Sequence, residues 1–344
     1  MKEIRIIVAT PSAIDRSRLE RALSASSWVK IIAQTSDLSE TFTAVEALEP
    51  DIVLLAQAYT ELPEFDCMRS LFSAVDARWI GLDGPGVYRS RAENPARAPR
   101  AAMPSGAVNC LEDLLERMHE LGAQRRSKGG GARKTVEPAA ALRTNKFVLI
   151  GASTGGIDAL LTVLANFPKD CPPTAIVQHT GKGFSESLVR LFDKRCAAKV
   201  VEAQDGLVLE RGMICVAAGV AGHLRLHPGK GLRCSLQPGP MISGQIPAID
   251  ALFRSAVPLA PRVIAVLLTG MGNDGAVGML DLQRAGAMTI GQDERTSVVY
   301  GMPRVAFELG AVRQQLALDR IGAEIIKLAD SAGNTSFAER QANG

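Results

Sequence analysis

Short apolar runs alternate with helical spacing of apolar residues along most of the chain. In the first third, the apolar runs indicate strands at residues 3–8, 29–33, 51–56 and 78–82. The helical spacing indicates helices at Ser17–Leu23, Leu38–Leu48 and Leu111–Leu121. Strands that alternate with helices in this way are typical of a parallel sheet that is covered on both faces.

The alternation is interrupted by a basic, glycine-rich stretch at residues 125–145, which has no apolar periodicity. This composition predicts a flexible linker between a first domain at residues 1–124 and a second at residues 146–330. Six apolar runs in the second domain indicate strands at Phe147–Ile150, Thr174–Gln178, Ala198–Glu202, Met213–Ala217, Val263–Leu268 and Ala287–Ile290. The polar residues 331–344 predict a disordered tail.

Helical spacing recurs between the strands of the second domain. It indicates helices near Asp158–Asn166, Ser185–Arg195, Ala248–Val257, Ala276–Ala285, Arg304–Leu309 and Leu318–Leu328. The segment His223–Leu236 alternates like a hairpin instead. The sequence therefore predicts two α/β domains, of which the second has a doubly wound sheet.

Composition and charge narrow the function classes. The chain has 344 residues, of which 47% are hydrophobic and 22% charged, as is typical of a globular protein long enough for two domains. The net charge of +3 indicates no dedicated nucleic-acid surface. No apolar run approaches the length of a membrane span, and the first residues lack a signal-peptide pattern. These features predict a cytoplasmic protein that is not inserted in a membrane.

Possible metal ligands are few. The six cysteines have no CxxC spacing and predict buried thiols in a reducing compartment. His223 and His227 are four residues apart, which on a helix suggests a metal pair. Because Leu224 and Leu226 alternate with them as on a strand, we predict no metal site and no cofactor.

The segment Lys146–Gly156 carries the candidate chemistry. An apolar strand leads into a glycine turn in which Gly151, Ser153 and Gly155 fit the G-x-S-x-G pattern, and a helix follows at once. Glycines allow the sharp turn that exposes a serine hydroxyl, and free N–H groups at a helix start suit an oxyanion or a phosphate. The segment is therefore either a nucleophilic serine turn or an anion cradle.

Three polar residues follow the ends of three predicted strands, namely Ser153, His179 and Asp274. Because the carboxyl ends of parallel strands form one rim, these residues are expected to converge on one cleft. Serine, histidine and aspartate are the set that acyl transfer requires. Each also has a plain structural interpretation, as a helix cap for Ser153 and Asp274 and as a hydrogen-bonded strand-end side chain for His179.

Other functions stay open at this point. A small-molecule α/β-hydrolase would need His223 or His227 as its base. A nucleotide-binding loop would use the glycine turn, but the turn lacks the lysine of a P-loop and does not fit GxGxxG. A catalytically silent adaptor would bind receptors or partners through both domains.

The second domain resembles the chemotaxis protein-glutamate methylesterases, the CheB family. The resemblance is carried by five motifs in order, IGASTGG, IVQH, PAIDALFRSA, GMGNDG and GQDERTSVVYGMP. It implies a Ser153, His179 and Asp274 triad, with the backbone of Thr154 and Met271 binding the oxyanion. It also implies hydrolysis of glutamate γ-methyl esters on chemoreceptor signalling helices, deamidation of receptor glutamines in some members, and contacts with other chemosensory proteins.

The first domain is similar to a response-regulator receiver, a flavodoxin-like fold, but lacks its phosphorylation chemistry. Ala56 stands where the resemblance implies the acceptor aspartate, and Thr10-Pro11 stands where it implies two metal-binding acids. No lysine occurs between Lys30 and Lys128. Asp51 and Asp83 do not replace the missing parts, because Mg²⁺ needs a set of carboxylates. We therefore predict a pseudo-receiver that is not phosphorylated.

Overall fold

The computed structural model describes residues 3–24, 26–62, 64–82, 88–89, 92–93, 107–108, 114–115, 118, 120, 145–181, 183–229 and 231–341. They belong to two compact units, Met1–Lys134 and Thr135–Gly344. All but the last residue of the predicted linker at 125–145 lies outside the described residues. The predicted helix at Leu111–Leu121 is described in part, and its described residues are helical.

The first unit is a parallel α/β sheet. Its elements are β1 (Ile4–Ala9), α1 (Ala13–Leu23), β2 (Val29–Thr35), α2 (Leu38–Leu48), β3 (Ile52–Ala56), α3 (Gln57–Thr60), α4 (Phe65–Ala74), β4 (Arg78–Leu82), β5 (Tyr88–Arg89), β6 (Ala92–Glu93) and β7 (Ala107–Val108). The main sheet has the order β2-β1-β3-β4-β6, in which β6 is antiparallel to its neighbour and the other pairs are parallel. The order of its first four strands is flavodoxin-like, which confirms the predicted fold class.

Helix α4 is not among the helices predicted from the sequence. It buries Phe65, Met68 and Phe72, a spacing typical of one helix face. The periodic signal is therefore present in the chain at this position, although no helix is predicted there. By contrast α3 has only 4 residues, too few to produce a periodic pattern.

The second unit alternates strands and helices through its whole length. Its elements are β8 (Phe147–Ala152), α5 (Gly156–Leu164), β9 (Thr174–Gln178), α6 (Ser185–Arg195), β10 (Lys199–Glu202), β11 (Val208–Leu209), β12 (Met213–Ala218), β13 (His223–Gly229), β14 (Gly231–Gln237), α7 (Ile249–Ser255), β15 (Val263–Leu267), α8 (Ala276–Arg284), β16 (Met288–Gln292), α9 (Met302–Glu308), β17 (Gln314–Leu316) and α10 (Leu318–Gln341). A 3₁₀ helix, Val257–Arg262, precedes β15.

The seven-stranded sheet of this unit is parallel throughout, in the order β10-β12-β9-β8-β15-β16-β17. Strands β8, β9 and β15 lie at its centre, and every residue in them is buried. The chain builds one side of the sheet after β8 and the other side from β15 onward. The predicted doubly wound arrangement is therefore confirmed, with its switch point between β8 and β15.

The segment predicted as a hairpin is the antiparallel pair β13–β14, which forms a small sheet with β11. Leu224 and Leu226 point into the core that the hairpin shares with α7, as the alternating pattern predicts. The backbone N–H of Leu226 also donates to the hydroxyl of Ser255 at 2.9 Å. The hairpin is therefore packed on α7, the helix whose first residues belong to the candidate active site.

The last helix is longer than expected. Helix α10 continues to Gln341, through most of the segment 331–344 that the sequence predicts to be a disordered tail. These residues contain no proline, and extending an existing helix adds a hydrogen bond per residue without a new nucleation cost. Among the described residues, no helix has both the length and the apolar composition needed to cross a bilayer.

Candidate active site

The three central strands of the second unit end at the same edge of the sheet. Ala152 pairs with Gln178, and Gly151 pairs with Leu267. The N–H of His179 donates to the carbonyl of Ala152 at 3.0 Å. Beyond β15, the carbonyl of Thr269 accepts from the N–H of Ser153 at 3.0 Å. The structure therefore brings Ser153 and His179 to adjacent strand ends.

The turn at Ser153 depends on glycine. Gly155 has φ 74°, in the left-handed region that favours glycine. A Cβ added there would lie 2.6 Å from the Cβ of Val298, so the loop from β16 to α9 packs directly on the turn. The N–H of Gly156 donates to the carbonyl of Ser153 at 2.7 Å and closes the turn into α5. The strand, turn and helix predicted from the sequence are thus present.

His179 and Asp274 form a buried pair. The Nε2 atom of His179 lies 2.9 Å from Oδ2 of Asp274, and the two side chains are 6% and 2% exposed. Because a carboxylate only accepts, Nε2 carries the proton in this bond. The other ring nitrogen, Nδ1, is buried and has no hydrogen-bond partner among the described residues. That nitrogen is consequently the one available to accept a proton.

The Asp274 carboxylate is held by backbone groups at the start of α7. Its Oδ2 accepts from the N–H of Ile249 at 2.7 Å, and its Oδ1 accepts from the N–H of Asp250 at 3.0 Å. The residue that caps α8 is Gly275, with φ 84° and no side-chain cap bond. Asp274 is therefore not the side-chain cap of α8, and its carboxylate instead joins His179 to the first N–H groups of α7.

Asp250 is a second buried acid beside this pair and is absent from the predicted site. Its Oδ1 accepts from the N–H of Gly278 at 2.7 Å, which braces α7 against α8. Burial raises the pKa of the Asp250 carboxyl; the Gly278 N–H opposes this shift and the charge of Asp274 adds to it. The only sequence signal for Asp250 is its place in the PAIDALFRSA motif.

The segment after β15 packs on the serine turn. The Thr269 hydroxyl donates to the carbonyl of Thr154 at 3.0 Å. A Cβ added to Gly270 would lie 2.6 Å from the Cβ of Ser153, so the turn that contains Met271 packs on the serine. The Met271 side chain is 71% exposed. Both segments predicted to bind an oxyanion therefore adjoin Ser153.

The two other candidate histidines lie in the hairpin. His223 is buried; its Nδ1 accepts from the N–H of Ala248 at 3.1 Å, and its Nε2 donates to the carbonyl of Pro240 at 2.9 Å. His227 is exposed and bonds the Ser235 hydroxyl at 2.8 Å. Since backbone groups occupy both ring nitrogens of His223, it is not placed to act as a base. Within the described ranges, no group of three or more His, Cys, Asp or Glu is arranged to hold a metal.

The first unit has an alanine at the predicted acceptor position. Ala56 ends β3, and the carbonyl of the buried Thr10 accepts from the Arg16 guanidinium. Asp51 lies at the opposite end of β3, where its carboxylate accepts from the N–H of Arg5 at 2.8 Å. Asp83 lies outside the described residues.

Comparison with known proteins places the whole chain in one family. Residues 148–325 match the family model for CheB methylesterase. The protein-glutamate methylesterase/protein-glutamine glutaminase 1 of Caulobacter vibrioides is 37% identical over 96% of this chain and 99% of its own. The corresponding protein of Rhizobium etli is 38% identical over 94% of this chain and 96% of its own.

A solved structure agrees with these relatives. The crystal structure of the Thermotoga maritima CheB methylesterase catalytic domain aligns with a TM-score of 0.52 at 34% identity. The alignment covers 53% of this chain and 98% of that domain. The predicted resemblance is confirmed, and the chain belongs to the CheB methylesterase family.

Proposed function

We propose that the chain is a serine esterase that removes methyl groups from glutamate γ-methyl esters on chemoreceptors. The proposal rests on the surroundings of the His179 imidazole. One ring nitrogen bonds a buried carboxylate, and the other has no partner among the described residues. The histidine lies at the strand end next to Ser153. The names of the relatives support the ester and the protein substrate.

In the proposed reaction, Asp274 fixes the tautomer of His179 by accepting from Nε2–H. Nδ1 then takes the proton of the Ser153 hydroxyl as Oγ attacks the ester carbonyl. The imidazolium that forms is stabilised by the carboxylate at 2.9 Å. It returns the proton to the leaving methanol, and water releases the glutamate by the same steps in the acyl-enzyme.

The developing oxyanion requires donors that are already in place. The N–H of Thr154 follows the proposed nucleophile and lies at the entry to α5, and the backbone N–H of Met271 lies in the turn packed on Ser153. We assign the oxyanion to these two groups. A primary amide attacked at the same place would release ammonia, so the proposal includes deamidation of receptor glutamines, the second activity in the relatives' names.

The proposed substrate is a methylated glutamate on the signalling helices of a chemoreceptor, reached in the cytoplasm. Val298, in the loop between β16 and α9, and Met241, in the loop between β14 and α7, are 69% and 70% exposed. The Val298 side chain packs on the serine turn, and Ala248 at the end of the Met241 loop precedes the Ile249 N–H that holds Asp274. Exposed apolar side chains next to the site fit a protein surface rather than a small polar ligand.

Methanol release tests the proposed function directly. The full chain, incubated with a chemoreceptor fragment methylated by a receptor methyltransferase, is expected to release methanol measurable by gas chromatography. The Ser153→Ala variant is the matched control, because it removes one oxygen and leaves the fold intact. No methanol above the protein-free background from the wild type would favour an adaptor that binds receptors without chemistry. Equal release above background from both proteins would show that Ser153 is not the nucleophile.

We further propose that the first unit is a pseudo-receiver that acts without phosphorylation. An alanine cannot accept a phosphoryl group, and a threonine and a proline cannot replace two carboxylates as Mg²⁺ ligands. The Arg16 guanidinium beside Thr10 places a fixed positive charge at the same edge of the sheet. Control of the esterase by this unit would then rest on binding rather than on phosphoryl charge.

Acetyl phosphate with Mg²⁺ is therefore expected to add no phosphate to residues 1–124 and to leave the esterase rate unchanged. Intact-mass spectrometry makes the measurement, with a phosphorylatable receiver treated in parallel. Ala56→Asp alone is expected to stay unphosphorylated, because the metal-binding acids and the lysine are still missing. Stoichiometric phosphorylation of any aspartate in this unit, including Asp51 or Asp83, would show that the domain is a working receiver.

A further inference from the structure

The side chain of Gln178 connects the two residues that the proposed function assigns as nucleophile and base. Gln178 is the last residue of β9 and is 1% exposed. Its Nε2 donates to the carbonyl of Ser153 at 3.0 Å and to the carbonyl of His179 at 2.8 Å. Both amide hydrogens are thus used on the backbone of these two residues.

This interaction requires a side chain with two hydrogen-bond donors, which the glutamine amide has without a charge. Carbonyl oxygens only accept hydrogen bonds, so two carbonyls that face one side chain need two donors on it. The Gln178 amide packs against Gly156. A Cβ added to Gly156 would lie 3.1 Å from the Cδ atom of Gln178 and closer still to its Oε1 atom. That oxygen is buried and has no partner among the described residues. The glutamine therefore keeps its orientation through its donors and through the space that Gly156 leaves.

The Ser153 carbonyl belongs to the same peptide group as the Thr154 N–H. In a planar trans peptide the C=O and the N–H point in opposite directions, so fixing one direction fixes the other. Gln178 and the N–H of Gly156 both hold this carbonyl, at 3.0 and 2.7 Å. Hydrogen bonds at a carbonyl also polarise the peptide and strengthen its N–H as a donor.

We propose that Gln178 is a positioning residue that aims the Thr154 N–H at the oxyanion while it keeps His179 beside Ser153. This inference rests on the proposed function. An oxyanion donor acts on charge that develops in the transition state and makes little difference to substrate binding. Loss of the Gln178 donors therefore lowers kcat and leaves KM nearly unchanged.

The test uses the full chain with Gln178→Met, which keeps the length of the side chain and removes both donors. We expect kcat on a methylated receptor fragment to fall about 10- to 100-fold, less than the roughly 10²- to 10³-fold effect of deleting an oxyanion donor. KM is expected to stay within about twofold, since the Gln178 amide bonds the protein backbone and not the substrate. Gln314→Met, in the edge strand β17 of the same sheet, is the matched control and should retain wild-type kcat.

A second readout separates positioning from overall stability. The rate of inactivation by a fluorophosphonate depends on the same serine, base and oxyanion donors but needs no receptor surface. This rate should therefore fall in parallel with kcat. It is measured at a temperature where circular dichroism shows that the variant is folded. If Gln178→Met does not fold, Gln178→Leu replaces it, because leucine also lacks both donors.

The outcomes distinguish this inference from the proposed function. A folded Gln178→Met or Gln178→Leu variant with wild-type kcat and wild-type inactivation rate overturns the role of Gln178 and leaves the esterase proposal intact. A raised KM with unchanged kcat also overturns it, since that result indicates a direct interaction with substrate. A wild-type chain that releases no methanol defeats the proposed function itself.

Discussion

Ser153→Ala is expected to lower kcat on a methylated receptor by about 10⁶-fold, because it removes the nucleophile. His179→Ala should lower kcat by a similar factor, because it removes the base that takes the serine proton. For Asp274→Ala we expect about 10⁴-fold, because Nε2 loses the acceptor that fixes the histidine tautomer. The double variant of Ser153 and His179 should be little slower than Ser153→Ala, since the members of a triad act as a unit. Methanol release in single-turnover and steady-state assays measures these factors.

His227→Ala is the matched control for His179→Ala. It removes an imidazole from the same unit, but His227 is exposed and its ring bonds the Ser235 hydroxyl, away from Ser153. We expect this variant to keep wild-type turnover, and His223→Ala to keep most of it at a temperature where it is folded. Turnover abolished by either hairpin substitution but retained by His179→Ala would show that the base is misassigned.

A receptor fragment is expected to be a far better substrate than free glutamate γ-methyl ester, by about 100-fold or more in kcat/KM. Contacts remote from the reacting ester can stabilise the transition state only if the substrate has a surface to make them. The exposed Met271 and Val298 beside Ser153 have apolar area available for such contacts. The comparison requires both substrates in the same methanol assay, at concentrations well below KM.

Val298→Ser sharpens this prediction, because Val298 is 69% exposed and packs on the serine turn. It should lower kcat/KM on the receptor fragment several-fold and leave the rate on the free ester unchanged. Equal kcat/KM of the wild type on the two substrates would contradict the prediction and would favour a hydrolase of small esters.

The long buried strands and the order of the polar residues that follow them can be predicted from the amino-acid sequence alone. Central strands that are buried on both faces are continuous apolar runs, which is why β9 and β15 are predicted almost to the residue. Ser153, His179 and Asp274 were identifiable because each follows such a run and lies in a motif of the family. The short elements α3, β11 and β17 have too few residues to produce a period.

How these residues contact one another depends on the folded sheet. The choice of Nε2 as the nitrogen that meets Asp274, and the two N–H groups of α7 that hold the carboxylate, depend on packing between segments some 25 and 95 residues apart in sequence. The two hydrogen bonds of Gln178 likewise depend on the directions of the Ser153 and His179 carbonyls in the folded chain. Periodicity reports which side of an element is buried, whereas hydrogen-bond partners depend on distances and directions that exist only once the sheet has formed.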